Sequence, residues 1–374
     1  MTSIEFRIVH WRRGLFADQL APNYDCVQVN GRAKPIIRSD SGRWLDRALN
    51  ARTGNFVAAN ASSIDEVLRC IEPFSPDAIL AHFGYTALYF LPVAERLGVP
   101  IIAHFHGTDI SFSLKRNRWY RWSLGNCLKS FNACIVVGSH QREQLIELGG
   151  DPTKIHVLPC GVPIEQFLPV GARSDDVFRF VTIARLVAEK GIEVSLRAFA
   201  KLAQQQPQVE LVIIGDGPER QALTDLASAL GVAERTEFSG FLKAEEVAAV
   251  LQRCDALLHH SLEAFDWVEG FGVAVAEAAA SALPVVVSES GGLIDQVVDG
   301  ETGFIVPLGS VDGMVTAMRK LHDDRDLARK MGRSGRIRAI EQYDSRKLSL
   351  RLQDLLMDAS SKPNPTASRE PKRV

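Results

Sequence analysis

Two doubly wound α/β domains are the fold this 374-residue sequence predicts, on three observations. Short runs rich in Val and Ile alternate with Ala/Leu/Glu/Arg-rich helical stretches from end to end. Several of the runs, "ACIVVG" and "PVVVS" among them, are almost continuously apolar, as suits parallel strands covered by helices on both faces. The alternation breaks once, in "PCGVPIEQFLPVGARSDDV" (159–177), where Pro, Gly and charge gather without periodicity. A chain this long ordinarily exceeds one core, so the break reads as a linker between domains at 1–168 and 169–360.

Strands of the first series are expected at 4–10, 25–30, 55–60, 77–82, 100–105, 133–138 and 154–159. The second series falls at 178–184, 210–216, 236–240, 256–261, 284–288 and 303–307. Segments such as "ACIVVG" and "PVVVS" concentrate β-branched side chains, which fit a pleated, buried surface. Between them, "IEVSLRAFAKLAQQ" carries the helical spacing, and "GFGVAVAEAAASAL" begins a helix at its glycines. A last helix over about 345–358 is expected to pack back on the first domain. The polar, Pro-containing tail 361–374 is expected to be disordered.

Composition excludes several classes. The apolar fraction is 46%, the charged fraction 24% and the net charge −2, all ordinary for a globular protein. Through Gln166 the balance is mildly basic and after it mildly acidic, which argues against a nucleic-acid-binding domain. The apolar run Phe271–Val287 is interrupted by Glu277 and Pro284, so a membrane span is not expected there. "MTSIEFRIVHWRRG" lacks a secretory h-region, and six scattered cysteines form no C-x-x-C pair. A cytoplasmic location with reduced thiols is expected.

Chemistry concentrates in the second half. Arg185 follows a strand in "FVTIARLVAEKG", with Lys190 five residues on, ahead of a helix. Two cations at a strand-to-helix turn can clamp a diphosphate, although alone they read first as solvated surface charge. "IIGDGPER" ends a strand at Gly215 and Gly217 but lacks the third glycine of a dinucleotide fingerprint. Its turn would let a base or ribose approach. Glu269 falls in a loop and Glu277 in an apolar helix; a buried carboxylate there needs partners, either polyol hydroxyls or an arginine.

Arg185 with Lys190, "GDGPE", Glu-x7-Glu in "EGFGVAVAEA" and "ALPVVVSESGGLIDQVVDGETGFIVP" together resemble the retaining glycosyltransferases of family 4. The resemblance is dense from about Ile155 to Leu321 and thinner through "AHFG" (81–84), "AHFHGTDIS" (103–111) and 136–162. It implies the GT-B fold, two Rossmann-like domains facing across a cleft, the first for acceptor and the second for nucleotide sugar. It further implies a hexosyltransferase-type enzyme that is retaining and metal-independent, with no cofactor, moving a sugar to a glycan or lipid-linked acceptor in cell-envelope or exopolysaccharide synthesis.

Carried onto this sequence, the resemblance gives Arg185 and Lys190 the diphosphate and Glu269 the transferred sugar, beside the amides of Gly270, Phe271 and Gly272. Glu277 takes the ribose, and His106 of "HGTD" lies by the anomeric centre. Gly215 and Gly217 belong to the donor site. Gly14, the one glycine of "FRIVHWRRGLFADQ", is the counterpart of a richer phosphate-binding loop. Neither Glu is assigned as nucleophile. Alternatives are a nucleotide-sugar epimerase of the same fold and an inactive sugar-nucleotide-binding homologue.

Two further segments carry expectations. "SFSLKRNRWYRWSLGNCLKSF" (111–131) has five Lys/Arg and no acid. It reads either as a helix lying on an anionic membrane at the cytoplasmic face or as one packed through Trp119, Trp122 and Leu128. Asp324–Arg325–Asp326 spells D-x-D in a polar helical stretch and reads as a surface ion pair. His82, His104, His259 and His260 read as structural.

Overall fold

The apolar runs pair side by side as parallel strands. The structure, a computed structural model, describes residues 7–10, 25–28, 54, 61–169, 176–264 and 266–361. The expected strand at 55–60, Gly14 and the tail beyond residue 361 lie outside the described residues. Two compact units emerge: 1–136 with 142–157 and 351–374, and 137–141 with 158–350.

In the first unit β1 (Arg7–His10) pairs with β2 (Asp25–Gln28). A separate sheet has the order β3 (Ile79–His82), β4 (Ile101–His104), β5 (Ala133–Val136), β6 (Ile155–Val157). The helix Gly84–Leu97 buries Ala87, Leu88, Leu91 and Val93 in the same core as Ile101, Phe105 and Phe131. Residues 111–131 form two short helices, Phe112–Arg116 and Arg118–Cys127, separated at Asn117. The Asn117 side chain accepts from the amides of Trp119 and Tyr120, capping the second helix. Tyr120, Leu124 and Leu128 carry the packing. Trp119 and Trp122, expected inside on the packed-helix alternative, are 38% and 51% exposed. Tyr120 and Leu124, rather than the two tryptophans, reach the core beside the expected Leu128.

The second unit has one six-stranded sheet ordered β12 (Gly303–Val306), β11 (Val285–Ser288), β10 (Ala256–His259), β7 (Phe178–Ile183), β8 (Val209–Ile214), β9 (Thr236–Gly240). Sequence order reverses between β7 and β10. In such a sheet the loops after these two strands diverge to opposite faces and leave a crevice at their carboxyl ends.

The Glu277 run resolves into the helix Val273–Ala280 followed by β11. The helix is apolar nearly all round because it is buried, with Ala274, Val275, Ala276, Ala278 and Ala280 inside. Among the described residues no helix is long and apolar enough to cross a membrane.

The expected boundary at 168/169 moves forward. Val162, Ile164 and Phe167 are buried in the second unit's core. The Val162 amide donates to Tyr343 O at 2.7 Å, and the Ser345 amide donates back to Val162 O at 3.0 Å. Packing and backbone pairing therefore assign 158–169 to the second unit, although its composition is that of a linker. Asp324 caps the helix Arg325–Gln342 by accepting from Leu327 N, and Asp326 pairs with Arg329 at the surface.

Candidate active site

Lys190 and Glu269 meet at the sheet's reversal point. Lys190 ends a single turn, Ala188–Lys190, beyond β7, and Glu269 stands in the loop after β10. The two loops abut through backbone: Leu262 N donates to Glu189 O at 2.8 Å, and Gly191 lies against His260. A Cβ on Gly191 would come 2.0 Å from His260 O, and its φ of 54° is left-handed, so only glycine fits there readily.

The resulting contact is an ion pair, Lys190 Nζ to Glu269 Oε2 at 2.6 Å, with Glu269 only 6% exposed. The same oxygen accepts from Ser261 Oγ at 2.7 Å and from His259 Nε2 at 3.3 Å. Burial alone would raise the Glu269 carboxyl. The His259 hydrogen bond and the Lys190 charge overcome that and hold it well below the usual carboxylate range. Lys190 also lies 4.5 Å from the Trp267 ring centroid, a cation–π contact. An ammonium has three N–H donors, so the carboxylate positions Lys190 without exhausting it.

His259, Ser261 and Trp267 escape sequence reasoning as members of this site. Their one signal is position, at or just beyond the carboxyl end of the strand flanking the reversal.

Arg185 lies in the same β7 loop, exposed, and makes no ion pair among the described residues. Gly215 and Gly217 prove to have a packing role: a Cβ on them would lie 1.9 Å from Ala184 O and 2.4 Å from Leu186 O. What approaches this turn so closely is the backbone on either side of Arg185, at Ala184 and Leu186. Leu186 N donates to Asp216 O at 2.9 Å, fixing the loop that presents the guanidinium.

The helix start expected at Gly270–Gly272 is present, with Gly272 as N-cap in a left-handed conformation. Gln296 Nε2 donates to Phe271 O. Gly292 N donates to Glu269 O at 2.9 Å, and a Cβ on Gly292 would meet Gly270 O at 2.2 Å. The paired glycines of "SESGGL" thus clasp the Glu269 loop. Among the described residues no acceptor binds the amides of Gly270, Phe271 or Gly272, which leaves a group of donors at a helix N-terminus. Glu277 is half-buried and its carboxylate forms no hydrogen bond or ion pair among the described residues, so the arginine alternative is not realised there. Burial pushes its carboxyl above the ordinary range.

His106 belongs to the first unit, where it is part of a histidine cluster. Its Nε2 is 2.9 Å from His82 Nδ1, and its ring centroid is 4.2 Å from that of His104. Burial, then the neighbouring rings, push His104 down to about 3. Asp109, 2% exposed, accepts from Gly84 N, His106 N and Gly107 N and so fixes the backbone around this cluster.

Residues 164–338 match the glycosyl transferases group 1 family, and residues 36–166 match glycosyltransferase family 4. Over 277 residues, 71% of this chain and 72% of the relative, the sequence is 32% identical to the GDP-mannose-dependent alpha-(1-6)-phosphatidylinositol monomannoside mannosyltransferase of Mycolicibacterium smegmatis. The chain belongs to the family 4 glycosyltransferases. This glycosyltransferase is also 26% identical to the putative colanic acid biosynthesis glycosyltransferase WcaL of Salmonella typhimurium, over 83% of this chain and 79% of that one. Its fold is that of Anabaena Alr3699/HepE, solved with UDP and glucose: TM-score 0.74, 19% identity, 94% of this chain and 91% of that one. The GT-B fold expected from the sequence is thereby established.

Proposed function

We propose that this glycosyltransferase moves a sugar from a nucleotide-diphosphate sugar to a glycan or lipid-linked acceptor, with retention of anomeric configuration, in cell-envelope or exopolysaccharide synthesis. The observation that carries the reading is the β7 loop at the reversal point. It presents an exposed Arg185 and a Lys190 held in place by Glu269. A leaving diphosphate gains negative charge, and two preset cations stabilise it where that charge develops. Each charge-assisted hydrogen bond would contribute about 1.5–3 kcal/mol, and no divalent ion is required for this part.

The amides of Gly270, Phe271 and Gly272, which have no acceptor among the described residues, would take phosphate or sugar oxygens. Glu277 would accept from the ribose hydroxyls, which supplies the partners its burial calls for. Glu269 makes a poor nucleophile: three donors occupy one of its oxygens, and its basicity is low. That favours retention by attack from the face the diphosphate vacates, with a phosphate oxygen taking the acceptor's proton. His106, in the first unit, would act toward the sugar or acceptor.

The relatives named for a phosphatidylinositol mannoside and for colanic acid support an acceptor of glycolipid or polysaccharide type. Exposed Trp119 and Trp122 among Lys115, Arg116, Arg118 and Arg121 support delivery of that acceptor at an anionic membrane surface on the cytoplasmic side.

The deciding experiment is a melting-temperature screen against UDP, GDP, ADP, dTDP and their common sugar conjugates, followed by NMR of the product anomer. Selective stabilisation by one base, and a product keeping the donor's configuration, is the expected result. A folded sample that none of them shifts would overturn the reading.

A further inference from the structure

The first unit brings three imidazoles together at the carboxyl end of its sheet. His82 ends β3 and His104 ends β4, and the two are register partners across the pair. His106 follows two residues later; along extended chain, residues two apart share a side, so His-x-His aims both rings the same way. Ring centroids are 5.0 Å apart for His82 and His104, and 5.1 Å apart for His82 and His106. One ring nitrogen from each residue lies within 4.8 Å of the other two.

Two features set this apart from a chance stack of aromatics. Both nitrogens of His104 are buried and have no hydrogen-bond partner among the described residues, an arrangement that costs free energy unless something satisfies it. The backbone holding the rings is also locked: Asp109 Oδ2 accepts from Gly84 N at 2.9 Å, and Oδ1 from His106 N and Gly107 N at 3.1 Å. A single carboxylate thus ties the chain after β3 to the chain after β4. With its oxygens engaged by amides, Asp109 leaves the cluster a pure imidazole set.

We propose that His82, His104 and His106 form a three-imidazole site for a divalent first-row transition ion, Zn²⁺ foremost, with a fourth position open to water. Imidazole nitrogens suit Zn²⁺, Cu²⁺ and Ni²⁺, whereas Mg²⁺ and Ca²⁺ take oxygen ligands. Three histidines with an open position make a known zinc arrangement. Zn–N bonds of about 2.0–2.1 Å in tetrahedral geometry separate ligand nitrogens by about 3.3 Å. The His82–His106 pair at 2.9 Å needs only a small opening, and His82, at the exposed edge, has room to give it. The site does not depend on the proposed donor chemistry. Its consequence touches that chemistry at one atom, because an ion that ligates His106 takes the lone pair His106 would offer to substrate.

The test uses full-length protein without a polyhistidine tag, stripped with chelator and titrated with Co²⁺. The expected result is one ion per chain with the intense visible absorption of four-coordinate cobalt, displaced by equimolar Zn²⁺. His104→Ala should weaken Co²⁺ binding by more than about 100-fold, beyond what losing an outer-shell partner costs. His82→Gln, at an exposed position, serves where His104→Ala does not fold, and His322→Gln should bind as the parent does. Absence of the cobalt spectrum, or an affinity unchanged in folded His82→Gln, would overturn the site.

Discussion

Lys190 Nζ lies 2.6 Å from Glu269 Oε2, and only 13% and 7% of the two side chains are exposed. The pair closes the loop after β7 onto the loop after β10, and it makes Glu269 a holder of the cation first.

Removing one partner should therefore cost stability as well as activity. Lys190→Ala leaves a buried carboxylate with only Ser261 and His259, and a loss of about 3 kcal/mol is expected, the low end for a broken buried pair. Urea unfolding measures it. The double variant Lys190→Met/Glu269→Gln should recover much of that loss while remaining inactive.

The pH dependence follows from the same carboxylate. Glu269 is held below its unfolded value of about 4.3. The stabilisation it brings is complete above that value and is lost as pH falls toward the folded pKa. Melting temperature recorded from neutral pH down to about pH 3 should fall less steeply for Glu269→Gln than for the parent. Superimposable slopes would contradict the assignment.

Glu277 has the opposite sign. Its carboxyl is raised by burial, so its contribution is favourable below the unfolded pKa and is lost as pH rises through the folded one. Above the folded pKa the ionised group burdens the unliganded protein. Glu277→Gln should melt at the parent temperature or above it, yet show a smaller shift with the stabilising nucleotide. An undiminished nucleotide shift would remove Glu277 from ribose binding.

Arg185 is exposed and makes no ion pair among the described residues, so Arg185→Ala should change stability by no more than about 0.5 kcal/mol. Turnover should fall by roughly 10- to 150-fold, the equivalent of one charge-assisted hydrogen bond to the leaving group. Steady-state kinetics with a saturating donor separates the two effects.

Much of the fold is legible in the sequence because buried parallel strands announce themselves as apolar runs, as "PVVVS" and "ACIVVG" do. The site is legible where chemistry and chain position coincide: Arg185 and Lys190 follow a strand, and Gly272 opens a helix. Contacts that close across an irregular loop are not. Ser261 and His259 read as strand-end residues until the loop after β10 folds back, and only then do they converge on Glu269. Gly215 and Gly217 read as a turn open to close approach, and the structure adds a packing reason for them, since a side chain there would meet the carbonyls of Ala184 and Leu186. Likewise 158–169 has a linker's composition, but Val162, Ile164 and Phe167 are inserted in the second core. The face of 118–127 turns inward at Tyr120 because packing, not aromatic content, chooses the side.

The amides of Gly84, His106 and Gly107 all end on the two oxygens of Asp109. In a hydrogen–deuterium exchange experiment these three protons should report a single event, since freeing one chain segment from that carboxylate loosens the other. A shared exchange rate would turn them into a built-in clock for the opening of the histidine-bearing end of the sheet, readable without substrate and slowed by anything that cross-links the rings above it.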